Sequence, residues 1–372
     1  MKLSGLQLLS TVHSSGQHRV RLIQQELPEP AADEVVVQIQ ATPLNPSDMG
    51  LLWGAADLGA LRAQPHLTEA PVGAAALQAL AGRVDQDMPV GNEGAGLVVA
   101  AGSGPQAQAL LGQTVAALGG GMYAQYRLLK ANQCIALPAG STAAQGASLF
   151  VNPLTALGFV ETMKHEGHKA LIHTAAASNL GQMLLKICQA DGIALVNIVR
   201  KPEQAQLLRD LGAQHVCDRS QADFAQQLTD AIAATGATLA FDATGGGTLA
   251  SEILSCMEAA LLRGAGAYSR YGTNTHKQVY LYGNLQLGDT VIRRSFGMSW
   301  GVGGWLVFPY LERLDPSIQQ GLRQRVLREM HSTFASHYSH TISLSDVLKP
   351  EVIAAYNAKA TGDKYLVDPS LG

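Results

Sequence analysis

The feature that most constrains the fold is a repeated change of hydrophobic period between residues 169 and 262. Short apolar runs, such as Ala170–His173 and Ala194–Val199, alternate with longer amphipathic segments, such as residues 179–190. The runs have the length of strands, whereas the amphipathic segments repeat apolar residues every three or four positions, as helices do. Because right-handed helical crossovers join parallel strands, this rhythm predicts an α/β domain with a doubly wound parallel sheet.

The same rhythm predicts further elements along the chain. Strands are expected at residues 215–217, 238–242, 266–271 and 291–297, and helices at residues 222–234 and 248–262. Pro202 suits the first turn of another helix, and Gly192 and Gly212 suit positions just after a helix ends. A charged helix near residues 318–334 and a closing strand near residues 364–367 are expected to return to the first domain.

The first third of the chain is dominated by strand patterns. In residues 34–41, Val35, Val37 and Ile39 share one face of an alternating run, and more strands are expected at 96–101, 114–118 and 123–129. Glycine and proline turns separate these runs, which is typical of a small, mostly antiparallel barrel. The chain has 372 residues, which is long for one domain. We therefore expect a barrel over residues 1–150, a parallel-sheet domain over 151–301 and a return to the barrel over 302–372.

Composition argues against several function classes. The net charge of -3 gives no basic surface for nucleic acid and no polybasic patch for a membrane. No stretch approaches the ~18 consecutive apolar residues of a membrane span. The four cysteines, at positions 134, 188, 217 and 256, lie far apart and predict neither a zinc ribbon nor a redox pair. We expect a cytoplasmic protein that acts on small molecules.

The turn after the first strand of the parallel sheet is a candidate phosphate site. It reads Thr-Ala-Ala-Ala-Ser-Asn-Leu-Gly over residues 174–181 and leads directly into a helix. Only Gly181 remains of the three glycines in the dinucleotide-binding pattern G-x-G-x-x-G, and Ala176 and Ser178 occupy the other two positions. Both are small enough to let the backbone approach a pyrophosphate at the helix N-terminus. An ordinary tight turn is the alternative.

The end of the second strand indicates which dinucleotide is bound. A site for NAD places a carboxylate there, on the 2′-hydroxyl of the adenosine ribose. This chain has Arg200 followed by Lys201, and a guanidinium beside an ammonium suits the 2′-phosphate of NADPH. The sequence therefore predicts NADPH as the cofactor, unless the two cations are only solvated charges after a strand.

The order of short motifs is similar to that of a known family over nearly the whole chain. The motifs are Leu-Pro-Glu-Pro at 27–30, Asn-Pro-Ser-Asp at 45–48, Gly-Asn-Glu-Gly-Ala-Gly at 91–96, Gly-Gly-Met-Tyr-Ala-Gln-Tyr at 120–126, Asn-Pro-Leu-Thr-Ala at 152–156, Val-Arg-Lys at 199–201 and Leu-Gly-Ala at 211–213. Each motif is weak alone. In this order they resemble the zinc-independent quinone oxidoreductases and enoyl thioester reductases of the medium-chain dehydrogenase/reductase superfamily.

The resemblance implies a GroES-like catalytic barrel built from both ends of the chain, a Rossmann domain between them, and a cleft in which hydride is transferred from NADPH. It also implies a set of cofactor contacts. These are Asn152, Ser178, Asn179, Leu180, Gly181, Arg200, Lys201, Tyr271, Gly272, Thr273, Phe296, Gly297, Met298, Ser299 and Lys364. Residues 271–273 and 296–299 are assigned to the nicotinamide because they would follow the last two strands of the sheet, and Lys364 is assigned to the phosphates.

The chain lacks the zinc ligands of the zinc-dependent branch of the superfamily, and it departs from the resembling family in two respects. Asn45 and Asn92 stand near the positions of the cysteine and the histidine that bind zinc in the alcohol dehydrogenases of the superfamily. Amides are poor zinc ligands, so we predict no metal site. Enoyl thioester reductases carry a catalytic tyrosine where this chain has Ala55 and Ala56. Residues 54–88 form a longer segment than in the relatives, either a surface decoration or a lid, and trimming residues 55–87 is expected to leave both cores intact.

Without zinc, the charge that develops on the acceptor oxygen must be met by hydrogen bonds or delocalised by the substrate. A quinone or an activated enone delocalises this charge, which favours such an acceptor. Asn45 is the first candidate donor, with Tyr123 and Trp300 lining the pocket, although both aromatic residues are equally suited to packing. An enoyl thioester reductase with another proton donor and a non-catalytic NADPH-binding protein stay open as alternatives.

A homodimer is also expected from the resemblance. The relatives commonly pair their Rossmann sheets edge to edge, and the strand predicted at residues 291–297 would otherwise present an open edge.

Overall fold

A computed structural model describes residues 3–264, 269–358 and 362–371 of the chain. The strands are β1 (Ser4–Val12), β2 (Gln17–Glu26), β3 (Glu34–Pro43), β4 (Arg62–Gln64), β5 (Leu67–Pro71), β6 (Met88–Pro89), β7 (Glu93–Ala101), β8 (Thr114–Leu118), β9 (Tyr126–Lys130), β10 (Cys134–Ala136), β11 (Ala170–His173), β12 (Ala194–Val199), β13 (His215–Asp218), β14 (Leu239–Asp242), β15 (Gly245–Gly247), β16 (Lys277–Leu281), β17 (Gln286–Thr290), β18 (Trp300–Gly304), β19 (His340–Ile342) and β20 (Tyr365–Val367). The helices are α1 (Met49–Leu52), α2 (Ala74–Ala79), α3 (Pro105–Leu110), α4 (Ala143–Gly146), α5 (Val151–His165), α6 (Asn179–Asp191), α7 (Pro202–Asp210), α8 (Phe224–Thr235), α9 (Leu249–Leu262), α10 (Val307–Leu311), α11 (Pro316–Arg328) and α12 (Pro350–Asn357).

The chain divides into two compact units. The barrel unit comprises Met1–Val151 and Leu327–Gly372, and the sheet unit comprises Asn152–Val326. The second boundary was predicted at residue 301 but lies at residue 326. The reason is that β18, α10 and α11 all continue the sheet unit; Trp305, for example, donates to the Thr162 hydroxyl of α5 at 3.0 Å.

The barrel unit contains the antiparallel strands predicted for the first third of the chain. One sheet has the order β4-β5-β2-β1-β6, and the other has the order β10-β8-β7-β3-β20-β19, with β9 also paired to β3. Val35, Val37 and Ile39 are buried, which confirms the predicted inward face of β3. The closing strand β20 pairs with β3, Leu366 lying opposite Pro43, so the C-terminal return to the first domain is confirmed.

The segment 54–88 is an integral part of the barrel unit. Its strand β5 pairs with five residues of β2, the Thr68 hydroxyl donates to the Leu348 carbonyl at 2.6 Å, and Ala70 is buried. Further polar contacts anchor the segment to β1, β2 and α1 through Arg83, Asp85 and Asp87. The expectation that trimming would leave the cores intact is therefore wrong, because the segment supplies a strand and buried side chains.

The sheet unit holds a parallel sheet in the order β13-β12-β11-β14-β16-β18. Counted by appearance along the chain, this order is 3-2-1-4-5-6, the arrangement of doubly wound dinucleotide-binding folds. Helix α6 ends at Gly192, whose φ is 68°, and α7 begins at Pro202. The predicted doubly wound sheet and these helix boundaries are confirmed.

The hydrophobic pattern places the last two strands of this sheet wrongly. The fifth strand is β16 rather than residues 266–271, of which 266–268 lie outside the described residues, and the sixth is β18 rather than residues 291–297. Lys277 disguises β16, because its charge is fully buried in an ion pair with Glu258, with Nζ 2.6 Å from Oε2. Glycine at three of five positions disguises β18, since glycine is disfavoured in strands.

The apolar residues 143–165 form a core helical stretch. By length and composition this stretch could cross a membrane, contrary to the expectation that none comes near that length. However, 72% of its most apolar window is buried inside the protein. The four cysteines are buried and unpaired, as expected of small apolar side chains.

Deleting residues 55–87 should destabilise the barrel unit. The deletion removes β4 and β5, uncovers the edge of β2 and empties the space that the Thr68 and Ala70 side chains fill. We expect it to remove roughly 5 kcal/mol or more of the unfolding free energy, which is the entire stability of many domains. Urea unfolding followed by circular dichroism measures the change.

The matched control is Gln78→Ala on the exposed side of α2, which should change stability by less than about 0.5 kcal/mol. A deletion variant that unfolds at the wild-type urea concentration would show that the segment is dispensable.

Candidate functional site

A buried carboxylate organises the carboxyl ends of β11 and β14, where the strand order of the parallel sheet reverses. Asp242 accepts the Thr174 hydroxyl at 2.7 Å, and it accepts the backbone N–H groups of Thr244 at 2.8 Å and Gly245 at 3.3 Å. The Thr174 hydroxyl in turn accepts the Ala243 N–H at 2.8 Å. Open α/β sheets bind ligands in the crevice at this switch point. Thr174 and Asp242 were not identified from the sequence. The signal was present, because Thr174 directly follows one apolar run and Asp242 is the last residue of another.

The turn between β11 and α6 requires glycine at its end. A Cβ atom on Gly181 would lie 2.1 Å from the Ala176 carbonyl oxygen, so a larger residue would push the backbone apart. Ala175 has a positive φ of 50°, a conformation in which glycine is far more common. Ser178 caps the helix, its hydroxyl accepting the Gly181 N–H at 3.2 Å. The N-terminus of α6 is thereby held close to the end of β11.

This arrangement suits a pyrophosphate, since a helix N-terminus combines N–H donors with the positive end of the helix dipole. Asn179 and Leu180 are the first residues of α6. The Leu180 side chain is buried, so Leu180 can offer only its backbone. Asn152, assigned to the nicotinamide half, is the half-buried second residue of α5, and its role stays a prediction.

Two cations lie at the same edge of the sheet, as the sequence places them. Arg200 and Lys201 directly follow β12, the neighbour of β11, and both side chains are exposed. The Arg200 N–H donates to Gln204 Oε1 at 3.2 Å. The side chains are therefore available to an anionic ligand at the carboxyl end of β12.

Two groups of predicted cofactor residues lie at the opposite ends of the strands, the amino ends. Residues Tyr271, Gly272 and Thr273 precede β16, and residues Phe296, Gly297, Met298 and Ser299 precede β18. Because the strands are parallel, these residues lie at the amino ends, away from the switch point. Their assignment to the nicotinamide assumed that they follow the strands, and that assumption is wrong.

The side chains at the amino ends of β16 and β18 contact other residues of the sheet unit. Thr273 donates to Glu258 through its N–H at 2.7 Å and its hydroxyl at 2.6 Å. Trp300, predicted to line the substrate pocket, is the first residue of β18 and packs edge-on against Phe296, with 5.0 Å between the ring centroids. The structure shows Trp300 in a packing contact, and its predicted pocket role stays a prediction.

Tyr282, Gly283 and Trp305 are the residues that follow the last two strands. A Cβ atom on Gly283 would lie 2.6 Å from the Ala243 carbonyl oxygen, so the backbones at the ends of β14 and β16 approach closely. The Tyr282 hydroxyl lies 2.7 Å from His173 Nε2. The run 279–282 of apolar and aromatic residues, followed by Gly283, is the sequence signal for these strand ends.

The barrel unit contains a second polar cluster, built on the buried carboxylates of Asp48 and Glu93. Asp48 accepts the Asn45 N–H at 2.9 Å, the Tyr123 hydroxyl at 2.9 Å and the Asn92 N–H at 3.1 Å. Glu93 accepts the side-chain amide of Asn45 at 2.8 Å. Burial raises the pKa of Asp48 to about 7 and raises the pKa of Glu93, while these hydrogen bonds oppose the rise.

This cluster distinguishes between two of the predicted catalytic residues. Asn45 is 2% exposed, and its Oδ1 has no hydrogen-bond partner in the part of the chain that the structure describes. A buried acceptor without a partner costs about 1–3 kcal/mol, so Asn45 Oδ1 keeps the capacity for one more hydrogen bond. Tyr123 is fully buried and its hydroxyl is bound to Asp48. The prediction that Tyr123 lines the pocket is wrong, and Tyr123 packs in the barrel core.

Lys364, assigned to the cofactor phosphates, has two hydroxyl partners within the barrel unit. Its Nζ donates to Ser148 at 2.9 Å and to Ser336 at 3.1 Å. Burial lowers the pKa of Lys364 to about 8, and the negative charge of Glu93 opposes this shift. An ammonium has three donors, so a contact with a phosphate stays a prediction.

Asn92, in the neighbourhood where zinc-binding relatives carry histidine, donates its side-chain amide to Ser47 at 3.0 Å. Within residues 3–264, 269–358 and 362–371, no group of three or more His, Cys, Asp or Glu side chains is placed to hold a metal ion.

Two family models match the chain. The alcohol dehydrogenase GroES-like domain matches residues 31–139, and the zinc-binding dehydrogenase domain matches residues 180–301. Together they match more than half of the 372 residues. The first model lies within the barrel unit and the second within the sheet unit.

Individual relatives match over shorter stretches. The mitochondrial enoyl-acyl-carrier-protein reductase of Xenopus tropicalis is 30% identical over 217 residues, 56% of this chain and 55% of that protein. The quinone oxidoreductase of Pseudomonas aeruginosa is 28% identical over 159 residues, 42% of this chain and 49% of that protein. The matches thus span about half the length of these curated relatives.

The fold agrees over the full length with a solved structure. The crystal structure of a candidate NADPH:quinone reductase from Mesorhizobium loti has a TM-score of 0.74, at 23% identity and 98% coverage of both chains. With two family models in the expected order and amides near the positions of the zinc ligands, the chain belongs to the zinc-independent quinone oxidoreductase and enoyl reductase branch of the medium-chain dehydrogenase/reductase superfamily.

Proposed function

We propose that the protein is an NADPH-dependent oxidoreductase that transfers hydride to a quinone or an activated enone. The observation that carries the proposal is the carboxyl edge of the parallel sheet, which combines a helix N-terminus held by Gly181 with two exposed cations, Arg200 and Lys201, on the neighbouring strand. These features match the two anionic parts of NADPH, the pyrophosphate and the 2′-phosphate.

The bound NADPH would supply the hydride, and the residues of the chain would bind and orient the cofactor. Gly181 lets the backbone pass close to the pyrophosphate, and the cap formed by Ser178 fixes the first turn of α6. Asp242 and Thr174 hold the two loops at the switch point. These contacts are made within the protein itself, so they preorganise the proposed cofactor site.

The kind of hydride acceptor is inferred from the lack of zinc-binding side chains. Amides replace the zinc-binding side chains of related alcohol dehydrogenases, so no metal is expected to stabilise a developing alkoxide. A quinone or a conjugated enone spreads this charge over its own bonds. Asn45 supports such a substrate modestly: one N–H of its amide is bound to Glu93, and an amide carries a second N–H donor that an acceptor oxygen could take.

An enoyl thioester reductase is the second candidate, supported by the similarity to the Xenopus tropicalis enzyme. The residues where such enzymes carry a catalytic tyrosine are Ala55 and Ala56, and Tyr123 is buried and bound to Asp48. Neither position offers a proton donor, which favours an acceptor that needs no nearby acid.

Oxidation of NADPH, followed at 340 nm with a quinone, an enone and an enoyl thioester in parallel, tests the proposal. We expect turnover with the first two. Asn45→Ala should lower kcat by about 10²-fold, the typical effect of losing one hydrogen-bond donor to a developing negative charge. Gln78→Ala is the matched control. Binding of NADPH without turnover of any acceptor would support a non-catalytic binding protein, and turnover of the thioester alone would support the second candidate.

Cofactor choice should depend on Arg200. A charge-assisted hydrogen bond is worth about 1.5–3 kcal/mol, so Arg200→Ala should weaken NADPH binding by about 10- to 150-fold and leave NADH binding nearly unchanged. Arg200→Asp should go further, because it repels the phosphate and offers NADH an acceptor for its ribose hydroxyl.

The measurement is the ratio of the NADPH and NADH dissociation constants for the wild type and both variants, at one salt concentration because the contact is ionic. A wild type that prefers NADH, or an Arg200→Ala variant that weakens both cofactors equally, would contradict the assignment.

A homodimer formed at the edge of the parallel sheet completes the proposal. The edge strand is β18 rather than the predicted residues 291–297, and Met298 and Leu306, which flank it, are 68% and 63% exposed. Open edges and exposed apolar side chains are typical of interfaces. Light scattering should give about twice the chain mass of 39.1 kDa, whereas a monomer at micromolar concentration would count against the shared edge.

A further inference from the structure

Arg219 is a third cation at the carboxyl edge of the parallel sheet, and the motifs do not account for it. It directly follows β13, which pairs with β12 in parallel register, Val199 opposite Asp218. The next residue on each strand is an arginine, Arg200 and Arg219. The Arg219 N–H donates to the Val199 carbonyl at 2.9 Å, which fixes its backbone beside Arg200. Adjacent strands lie ~4.8 Å apart, so the two arginines begin from neighbouring backbone positions at the same ends of the strands.

The guanidinium of Arg219 is held from one side only. Nη2 donates to Glu252 Oε1 at 3.1 Å and lies 3.5 Å from the Thr248 hydroxyl. Among the described residues, these are its side-chain hydrogen bonds, and both involve the same nitrogen. A guanidinium has five N–H donors, so Nη1 and Nε remain for a further acceptor. The side chain is 32% exposed, which leaves these donors accessible.

Three acidic residues lie near these cations. Asp218 directs its carboxylate to the Ser220 N–H at 2.9 Å and to the Gln221 amide at 3.4 Å. Glu252 is bound to Arg219 and to the Thr248 hydroxyl. Glu203 is exposed in the first turn of α7. Against these three carboxylates stand three cations, of which Arg200 and Lys201 make no ion pair within the described residues. The side-chain donors of Arg200 and Lys201 are therefore not engaged by a carboxylate in that part of the chain.

We propose that Arg219 is the second guanidinium of the 2′-phosphate site, and that Glu252 positions it. The phosphate would lie between Arg200 and Arg219, with one oxygen facing the free Nη1 and Nε donors of Arg219. The inference rests on the proposed NADPH dependence. It adds to the 2′-phosphate site a residue that follows β13. Glu252 acts through Arg219, as a positioning residue, because it holds Nη2 and so turns the opposite side of the guanidinium outward.

Binding of two fragments tests the proposal without relying on activity. Adenosine 2′,5′-bisphosphate carries the phosphate in question and adenosine 5′-monophosphate lacks it. Isothermal titration calorimetry on the full chain should show Arg219→Ala weakening the bisphosphate by about 10- to 100-fold, with the monophosphate changed less than about twofold. Arg219→Lys should recover part of the loss, since lysine keeps the charge but not the planar pair of donors.

Arg263→Ala is the matched control. Arg263 lies just after the opposite end of α9, in an exposed ion pair with Asp230 at 2.6 Å, and its removal should change neither fragment. Equal weakening of both fragments by Arg219→Ala would mean that the side chain supports the adenosine or the local fold, and would overturn the proposal.

Arg200→Ala separates this inference from the proposed function. If Arg200→Ala removes the preference for the bisphosphate and Arg219→Ala does not, the NADPH assignment stands and the role of Arg219 falls. If the wild type binds both fragments equally, the NADPH assignment itself falls.

Discussion

The hydrogen bonds of the buried Asp242 carboxylate fix the loops at the carboxyl ends of β11 and β14. The proposed binding site of the sheet unit depends on these bonds. Burying a carboxylate costs free energy unless its oxygens are saturated with donors, and here Thr174, Thr244 and Gly245 supply those donors. The Thr174 hydroxyl accepts as well as donates. It therefore joins the loop after β11 to the loop after β14. The crevice at the switch point is preorganised because the cost of burying the charge is met only when both loops occupy these positions.

The barrel unit uses the same device at its own polar cluster. Asp48 joins the segment that carries Asn45 to the segment that carries Asn92, and Tyr123 supplies the third donor. Burial raises the pKa of Asp48 to about 7, which shows how much desolvation these donors must offset. A raised folded-state pKa stabilises the fold fully at pH values below the ordinary pKa of aspartate, and this contribution is lost as the pH rises through about 7. The geometry around Asn45 is thus obtained at some expense of stability near neutral pH.

The sequence predicts those parts of the fold and site that depend on local pattern, and it misses those that depend on burial of charge. The turn at Gly181 and the cations after β12 follow from period, glycine and strand order, so both were found. Strand β16 was missed because Lys277 reads as a surface residue, and only the distant Glu258 makes its burial possible. Tyr123 was misread for the same reason, since a tyrosine in a glycine-rich motif suggests a pocket until the buried partner Asp48 is known. Segment 54–88 looks like an addition because its pairing with β2 is a long-range contact.

The loop geometry and the proposed cofactor choice depend on different residues. Asp242 and Gly181 determine where the backbone runs, and they tolerate little change because their neighbours lie at or within contact distance. Arg200 and Lys201 are exposed and contact their surroundings mainly through the backbone. Their charges can therefore change without disturbing the sheet. If such side chains select the dinucleotide, they do so through their charge. Their position at the end of the second strand can be found from the order of the strands in the sequence. Two of the three glycines of the dinucleotide-binding pattern are absent from the turn at residues 174–181, whereas both cations that we propose to select NADPH are visible in the sequence.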